Sequence, residues 1–303
     1  GLGWPRFGHS AEVISLVKHS RLHEGLRTDG PVGTQRDLIL QNCYELYKAA
    51  EWKIPEDFLQ ESHFRRVVGG LDWTSSPGYP YLLNAPSNGI LFAVKDGVPN
   101  EERLQHFWKV VQQRLNTEEG SDPIRLFVKG EAHTAKKLAD ERYRLISSVS
   151  VVDQIIDSML FKEMNDALIQ NWIDVPSKPG WSMLLGGWRF MPHSTWIATD
   201  ASAWDWTVRP WLLELVLAVR EMLCVNPNDE WRALAQRRYR ELFLNPVFIT
   251  SAGVLYKQRT PGVMKSGCVN TIADNSIMQV LLHLRVCADL GITAPYLFTM
   301  GDD

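Results

Sequence analysis

Two short apolar runs, about one hundred residues apart, each end on acid. The first is Trp196-Ile197-Ala198-Thr199-Asp200, with Asp205 five residues further on; the second is Tyr296-Leu297-Phe298-Thr299-Met300, followed by Gly301-Asp302-Asp303. β-Branched and aromatic residues favour strands, and a Gly-Asp-Asp step favours a turn. A fold that sets these two strand ends side by side gathers several carboxylates around one point. Left alone, such a cluster is costly, because each charge disfavours the ionisation of the next. Divalent cations that prefer hard oxygen ligands resolve the repulsion. Two of them, about 3.5–4 Å apart, clamp the attacking and leaving oxygens of an in-line phosphoryl transfer. Neither run says this by itself. A lone Gly-Asp-Asp is most often a solvated turn, and Asp-x-x-x-x-Asp arises by chance in many proteins.

Length and composition admit such a fold. The 303 residues are enough to bury a substantial core, in one elaborated domain or two lobes. With 45% apolar and 22% charged residues, the composition is that of an ordinary globular protein. No uninterrupted apolar stretch approaches the roughly 18–20 residues of a transmembrane segment. The start, Gly1-Leu2-Gly3-Trp4-Pro5-Arg6, has no signal-peptide pattern and no initiator methionine, which leads us to expect a piece of a longer translation product. Cys43, Cys224, Cys268 and Cys287 are scattered without a Cys-x-x-Cys pair, so neither a disulfide framework nor a zinc site is expected, and a reducing compartment fits. A net charge of −3 argues against a uniformly basic nucleic-acid binder. Charge is nonetheless local: from Arg125 to Arg144, six basic residues (Arg125, Lys129, Lys136, Lys137, Arg142, Arg144) meet three acidic ones (Glu131, Asp140, Glu141). On charge alone this window reads as a solvated face.

Along the chain, the first 70 residues read as mostly helical, with helices over 10–19 and 33–52, and a Gly/Pro/Ser-rich loop follows over 69–89. Helix is expected over 99–115, 152–169, 211–223, 228–242 and 268–290, and strand over 124–128, 143–149 and the two acid-bearing runs. Ser251-Ala252-Gly253 between 247–250 and 254–257 is a hairpin signal. The alternation predicts a sheet with helices packed on it.

A third piece precedes the last helix: Ser266-Gly267-Cys268-Val269-Asn270-Thr271-Ile272-Ala273-Asp274-Asn275. Thr271 and Asn275, four residues apart, share one helix face, and with Ser266 and Gly267 on the preceding turn they form a row of uncharged hydrogen-bonding groups. Asp200-x-x-x-x-Asp205, Ser266-Gly267-x-x-x-Thr271-x-x-x-Asn275 and Gly301-Asp302-Asp303 resemble motifs A, B and C of the viral RNA-dependent RNA polymerase palm, in the family's order and at compatible separations. Ser75-Ser76-Pro77-Gly78-Tyr79-Pro80-Tyr81 resembles the template-guiding fingers loop, motif G. Lys129-Gly130-Glu131 through Arg142-Tyr143-Arg144-Leu145-Ile146 resembles motif F, which lines the nucleotide channel. The likeness runs from about Gly69 to Asp303. Gly3-Trp4-Pro5-Arg6 and Ala11-Glu12-Val13-Ile14-Ser15-Leu16, with the motif spacing, look closest to the sobemovirus–polerovirus group of positive-strand RNA viruses.

The resemblance implies an α/β (α+β) right-hand polymerase with fingers and palm, the palm truncated after motif C and the thumb absent. Residues 1–195 correspond to an N-terminal region and fingers, with the template loop at 73–81 and the nucleotide-channel segment at 125–147. Residues 196–303 correspond to the palm, with 228–262 partly in the fingers. It implies RNA-directed RNA synthesis for viral genome replication and transcription, with two Mg2+ ions, or Mn2+ as a substitute, on Asp200, Asp302 and Asp303. Strand periodicity points Asp200 and Asp205 to opposite faces, so Asp205 is expected on the turn beyond the strand. There the family likeness assigns it, with Ser266, Gly267, Thr271 and Asn275, to the nucleotide's ribose. The absence of an aromatic steric gate at Asp205 argues against a reverse transcriptase. Lys129, Arg142 and Arg144 are the expected triphosphate contacts, since arginine offers a planar fork to phosphate oxygens; Ser75, Ser76, Gly78 and Tyr79 are the expected template contacts. Implied partners are template and nascent RNA, ribonucleoside triphosphates, a viral genome-linked protein and other replication proteins, in the host cytoplasm at viral replication complexes. Two other classes compete: a two-metal phosphodiesterase or nuclease, which needs neither the Ser266–Asn275 row nor the loop at Ser75, and a non-catalytic RNA-binding fragment.

Overall fold

Side-chain caps fix where several helices begin. Asn100, Ser150 and Asn228 accept from the backbone N–H three residues on, at 3.2, 3.2 and 2.8 Å, satisfying a donor that the helix leaves unpaired. The computed structural model describes residues 1–24, 29–117, 120–191 and 195–302. In order they form β1 (Leu2–Gly3), α1 (His9–Glu24), α2 (Gly33–Tyr47), α3 (Glu61–Gly69), α4 (Asn88–Leu91), α5 (Glu101–Asn116), β2 (Ile124–Val128), β3 (His133–Thr134), α6 (Ala135–Ala139), β4 (Leu145–Ser148), α7 (Val151–Gln170), α8 (Trp204–Thr207), α9 (Pro210–Met222), α10 (Asp229–Phe243), β5 (Val247–Ile249), β6 (Leu255–Lys257) and α11 (Thr271–Leu290). No helix among the described residues is long and apolar enough to cross a membrane.

The core is helical. α7 buries Ile155, Ile156, Leu160, Phe161 and Met164, and α11 buries Ile277, Met278, Val280 and Leu281, so both are apolar around most of their circumference, as interior helices must be. Trp231 of α10 lies against Trp52 and Phe161, with ring centroids 5.3 and 6.2 Å apart, and its indole N–H donates to the Leu160 carbonyl at 2.9 Å. Charges buried among these helices are paired. Arg238 forks onto Asp157 at 2.6 and 3.1 Å, and Arg220 donates to Asp274 at 2.7 Å while the Tyr239 hydroxyl donates to the other oxygen of that carboxylate, also at 2.7 Å. An uncompensated charge at that depth costs several kcal/mol, so each pair is needed once either member is buried.

Beside the helices stands a four-stranded sheet in the order β4-β2-β5-β6, with β2 antiparallel to β4, parallel to β5, and β5 antiparallel to β6. The β5–β6 pair is the hairpin expected around Ser251-Ala252-Gly253. β1 pairs with β3, tying the N-terminus to the basic window.

The two acid-bearing runs do not form the expected strands. Residues 196–200 carry no regular secondary structure and are exposed, and 296–300 make one isolated parallel bridge, Ser177 to Thr299. Apolar, β-branched composition makes a strand only where a neighbouring edge takes its hydrogen bonds. Here the second run is held instead by the 176–178 segment: Thr299 N–H donates to the Pro176 carbonyl at 3.0 Å, and Lys178 N–H to the Thr299 carbonyl at 2.8 Å. The two runs still meet, the Trp196 and Phe298 rings lying 5.3 Å apart.

Candidate active site

A cleft of about 560 Å3 opens where segments far apart in sequence converge. Asp200 and Asp205 line it with Trp204, Ser266 lines it from the turn before α11, and Asp302 from the last turn. Lys129, Lys137, Arg142 and Arg144 line it from the basic window. Asp303 lies outside the described residues.

Asp205 sits in α8, a single helical turn entered through Ala203, whose φ of 54° is left-handed and costly for a residue with a Cβ. Its backbone is stitched to the loop before Ser266: the Asp205 carbonyl accepts from Met264 N–H at 2.8 Å, and the Val208 carbonyl from Val263 N–H at 3.0 Å. Asn275 Nδ2 donates to Asp205 Oδ1 at 3.1 Å, while the Asn275 side-chain oxygen, buried as well, has no hydrogen-bond partner among the described residues. Burial raises the Asp205 pKa to about 6; the Asn275 bond opposes this and the charge of Asp302 adds to it. Lys265, fully buried, donates to the Val263 carbonyl at 2.6 Å, and burial brings its pKa down to about 7.

The helix α11 is the common mount. Asn275 reaches Asp205, and the next turn holds the Gly301-Asp302 turn: Ser276 Oγ accepts from Gly301 N–H at 2.8 Å, Gln279 Nε2 donates to the Asp302 carbonyl at 2.7 Å, and Thr299 Oγ1 donates to the Ser276 carbonyl at 2.9 Å. Ser276 and Gln279 escaped the sequence reading. The available signal was the run of polar residues Asn275, Ser276 and Gln279 on a helix otherwise apolar enough to be buried.

The turn before α11 packs on β4. Ser266 Oγ accepts from Ser147 N–H and Gly267 N–H donates to the Ser147 carbonyl, both at 3.1 Å. A Cβ on Gly267 would lie 2.4 Å from that carbonyl oxygen, so only glycine permits the approach. Thr271 departs from the expected row. Its hydroxyl faces the Lys265 and Cys268 carbonyls at 2.9 and 2.8 Å, closing the turn at the helix start rather than lining the cleft.

In the basic window, Lys129 N–H donates to the Arg144 carbonyl at 2.8 Å, continuing the β2–β4 ladder by one rung. His133 is buried in β3. Its Nδ1 donates to the Glu131 carbonyl at 2.7 Å and its Nε2 accepts from Arg144 N–H at 2.8 Å. Glu131 pairs with Lys129 at 2.8 Å and with Arg144 at 2.7 Å, and these cations hold its carboxyl below the usual range. Ser75, Ser76, Gly78 and Tyr79 do not line this cleft. Ser75 Oγ donates to Asp72 at 2.7 Å, Ser76 Oγ accepts from Gly78 N–H at 3.3 Å, and Gly78 (φ 68°) comes so close to the start of α7 that a Cβ would lie 2.9 Å from Ser150 Cα. The loop is thus anchored beside β4 and α7.

His19 also lines the cleft and was not foreseen. Its ring stacks on Trp206 at 4.6 Å, and burial lowers its pKa to about 4, which keeps it neutral. One turn further along α1, His23 Nδ1 lies 3.0 Å from the Trp206 carbonyl and Nε2 lies 3.1 Å from the Pro261 carbonyl. The spacing of these two histidines puts them on one helix face, which was the only hint in the sequence.

Among the described residues, no three His, Cys, Asp or Glu side chains form a cluster that could hold a metal ion. The donor chemistry still fits divalent cations. Asp200, Asp205 and Asp302 line one cleft and offer hard oxygen ligands, and Asp302 is near enough to perturb Asp205.

The family profile described as viral RNA-dependent RNA polymerase matches residues 63–303. The chain belongs to that family. Among its relatives, the replicase polyprotein P2AB of Southern bean mosaic virus is 40% identical over 339 residues, covering 99% of this chain and 33% of the relative. Protein P1-P2 of Turnip yellows virus is 30% identical over 349 residues, covering 100% and 32%, and protein P2-P3 of Poinsettia latent virus is 30% identical over 355 residues, covering 100% and 30%. The chain therefore spans about a third of the length of these relatives. They bear out both the family likeness and the narrower sobemovirus–polerovirus likeness read from the motifs.

Proposed function

We propose that this chain carries the catalytic centre of an RNA-directed RNA polymerase for viral replication and transcription, with residues 1–195 in the fingers and 196–303 in the palm. One observation carries the reading: acids from two separate segments and the cations of the basic window face each other across one cleft, with a polar row on α11 behind them. In the proposed reaction the 3′-hydroxyl of the growing RNA attacks the α-phosphorus of a ribonucleoside triphosphate. The bond to the β-phosphate oxygen breaks, and pyrophosphate leaves.

Lys129, Arg142 and Arg144 take the triphosphate; for Lys129 and Arg144 this means exchanging Glu131 for phosphate oxygens. Asp205, Ser266 and Asn275 take the ribose, and the unpartnered Asn275 oxygen is an acceptor suited to a 2′-hydroxyl. Deoxyribose would leave that acceptor unpaired, a strong basis for rejection. Thr271 and Gly267 shape the turn that presents Ser266. Asp200 and Asp302, with Asp303, would hold two magnesium ions, which when bound lower the pKa of the attacking hydroxyl and neutralise phosphate charge. Ser75, Ser76, Gly78 and Tyr79 belong to a loop suited to guide template past β4. Template and nascent RNA are the partners this reading requires, and replication complexes in the host cytoplasm, with a genome-linked protein and other replication proteins, are its setting.

The test uses the intact protein that contains this chain, a labelled primer on an RNA template, ribonucleotides and magnesium. Extension that is lost in Asp302→Asn supports the proposal. Shortening of the RNA would favour a two-metal nuclease, and binding without either would favour an RNA-binding role.

A further inference from the structure

We infer that His23 is a positioning residue for sugar selection: it clamps the turn carrying Asp205 to the loop leading into Ser266. This inference rests on the polymerase reading above. Its ring is buried and spans the two segments, Nδ1 lying 3.0 Å from the Trp206 carbonyl and Nε2 3.1 Å from the Pro261 carbonyl; the neutral imidazole that burial favours donates its one N–H to one of them and packs its other nitrogen against the second. Trp206 follows Asp205 directly. Pro261 and Gly262 open the loop whose Met264 N–H donates to the Asp205 carbonyl and whose Lys265 precedes Ser266. No room is left for another arrangement: a Cβ on Gly262, whose φ is 109°, would lie 2.5 Å from the Val208 carbonyl oxygen and 3.2 Å from the His23 ring.

The clamp is delivered by a helix that is itself fixed at both ends. At its start, His9 bonds Thr250 Oγ1 at 2.8 Å and Glu12 accepts from Ser251 N–H at 2.9 Å, both on the β5–β6 hairpin. Midway, Ser15 Oγ donates to the Tyr143 carbonyl at 2.7 Å, beside Arg144. At its end His19 stacks on Trp206 and His23 makes the two carbonyl contacts. Of these, only His23 bridges the Asp205 turn and the Ser266 loop. Shifting one against the other changes the spacing between the groups proposed to meet the ribose, without touching those proposed to meet the triphosphate.

The experiment measures kcat/KM for a ribonucleotide and for the matching deoxyribonucleotide, with RNA affinity and thermal stability, in the intact protein. His23→Phe keeps a ring and removes both ring nitrogens; His23→Gln keeps a donor and serves if phenylalanine is not tolerated. His9→Ala loosens the far end of the same helix. The expected result is a fall of about tenfold in the ribose-to-deoxyribose ratio for His23→Phe, a partial fall for His23→Gln, and an unchanged ratio for His9→Ala, with RNA affinity held throughout. Equal losses with both sugars, or the same change in His9→Ala, would overturn the clamp and leave a helix that merely stabilises the fold. Asp205→Ala runs alongside. A wild type that does not extend RNA, or an Asp205→Ala that keeps its sugar preference, overturns the underlying reading instead, and the clamp with it.

Discussion

The acids of the helical scaffold and the acids of the cleft are handled in opposite ways. Asp157 and Asp274 are fully buried, and each meets an arginine within 2.7 Å. Asp200, Asp205 and Asp302 form no ion pair among the described residues, although four basic side chains line the same cleft. The cations nearest in kind, Lys129 and Arg144, are engaged by Glu131. Where a carboxylate serves stability, the sequence supplies a guanidinium; in the cleft it withholds one and occupies the neighbours. Carboxylates left in that state suit a cation that the protein does not itself provide.

The contrast is sharpest in stability. Asp157→Asn takes from buried Arg238 the carboxylate it forks onto, leaving Glu241 at 2.6 Å and Asp153 at 3.7 Å, and should cost about 3 kcal/mol, read as a large drop in the denaturation midpoint. Asp200→Asn and Asp302→Asn should leave that midpoint unchanged or slightly raised, because they remove repulsion. Their effect should fall on RNA extension, by about a thousandfold, or ~4 kcal/mol in the barrier. Comparable unfolding in the two sets would erase the distinction.

A smaller effect should separate binding from selection. Asn275→Ala removes the bond to Asp205 and the unpartnered acceptor together, and should lower the preference for ribonucleotides about tenfold while RNA affinity stays constant. Equal loss with both sugars would make Asn275 a scaffold residue like Asp157. The smallest change is expected at the rim. Arg144→Lys should raise the KM for nucleotide a few-fold and Arg144→Ala more, since a point charge does not reproduce a two-pronged contact. A constant KM with weaker RNA binding would move Arg144 to the template path.

The cleft was legible in the sequence where acidic and polar residues stood at fixed spacing in separate segments. Asp200, Asp205, Ser266, Asn275 and Asp302 could be collected that way, and the basic window gained meaning beside them. The long helices were equally plain, because α7 and α11 are apolar over many turns. Strands at 196–200 and 296–300 were over-read, since strand formation depends on a partner edge that composition does not describe. Thr271 was misplaced because helical spacing gives a shared face but not the rotamer, and its hydroxyl found nearer carbonyls. His19, His23, Ser276 and Gln279 act through neighbours distant in sequence, and a contact of that kind leaves no local pattern.

The bonds of α1 also set a timetable for synthesis. His9 waits for Thr250 and His23 for Pro261, partners 241 and 238 residues further along. At roughly 5–20 residues per second, a ribosome needs on the order of 10–50 s to make the intervening chain. Throughout that interval the buried face of α1 has only its earlier neighbours to cover it, and loop closure of this length is slow to be rewarded. The nascent protein therefore cannot assemble its cleft piecemeal. Within this chain α1 is made before its partners and is among the last helices to be locked, so the cleft can close only after residues 250–261 have been made.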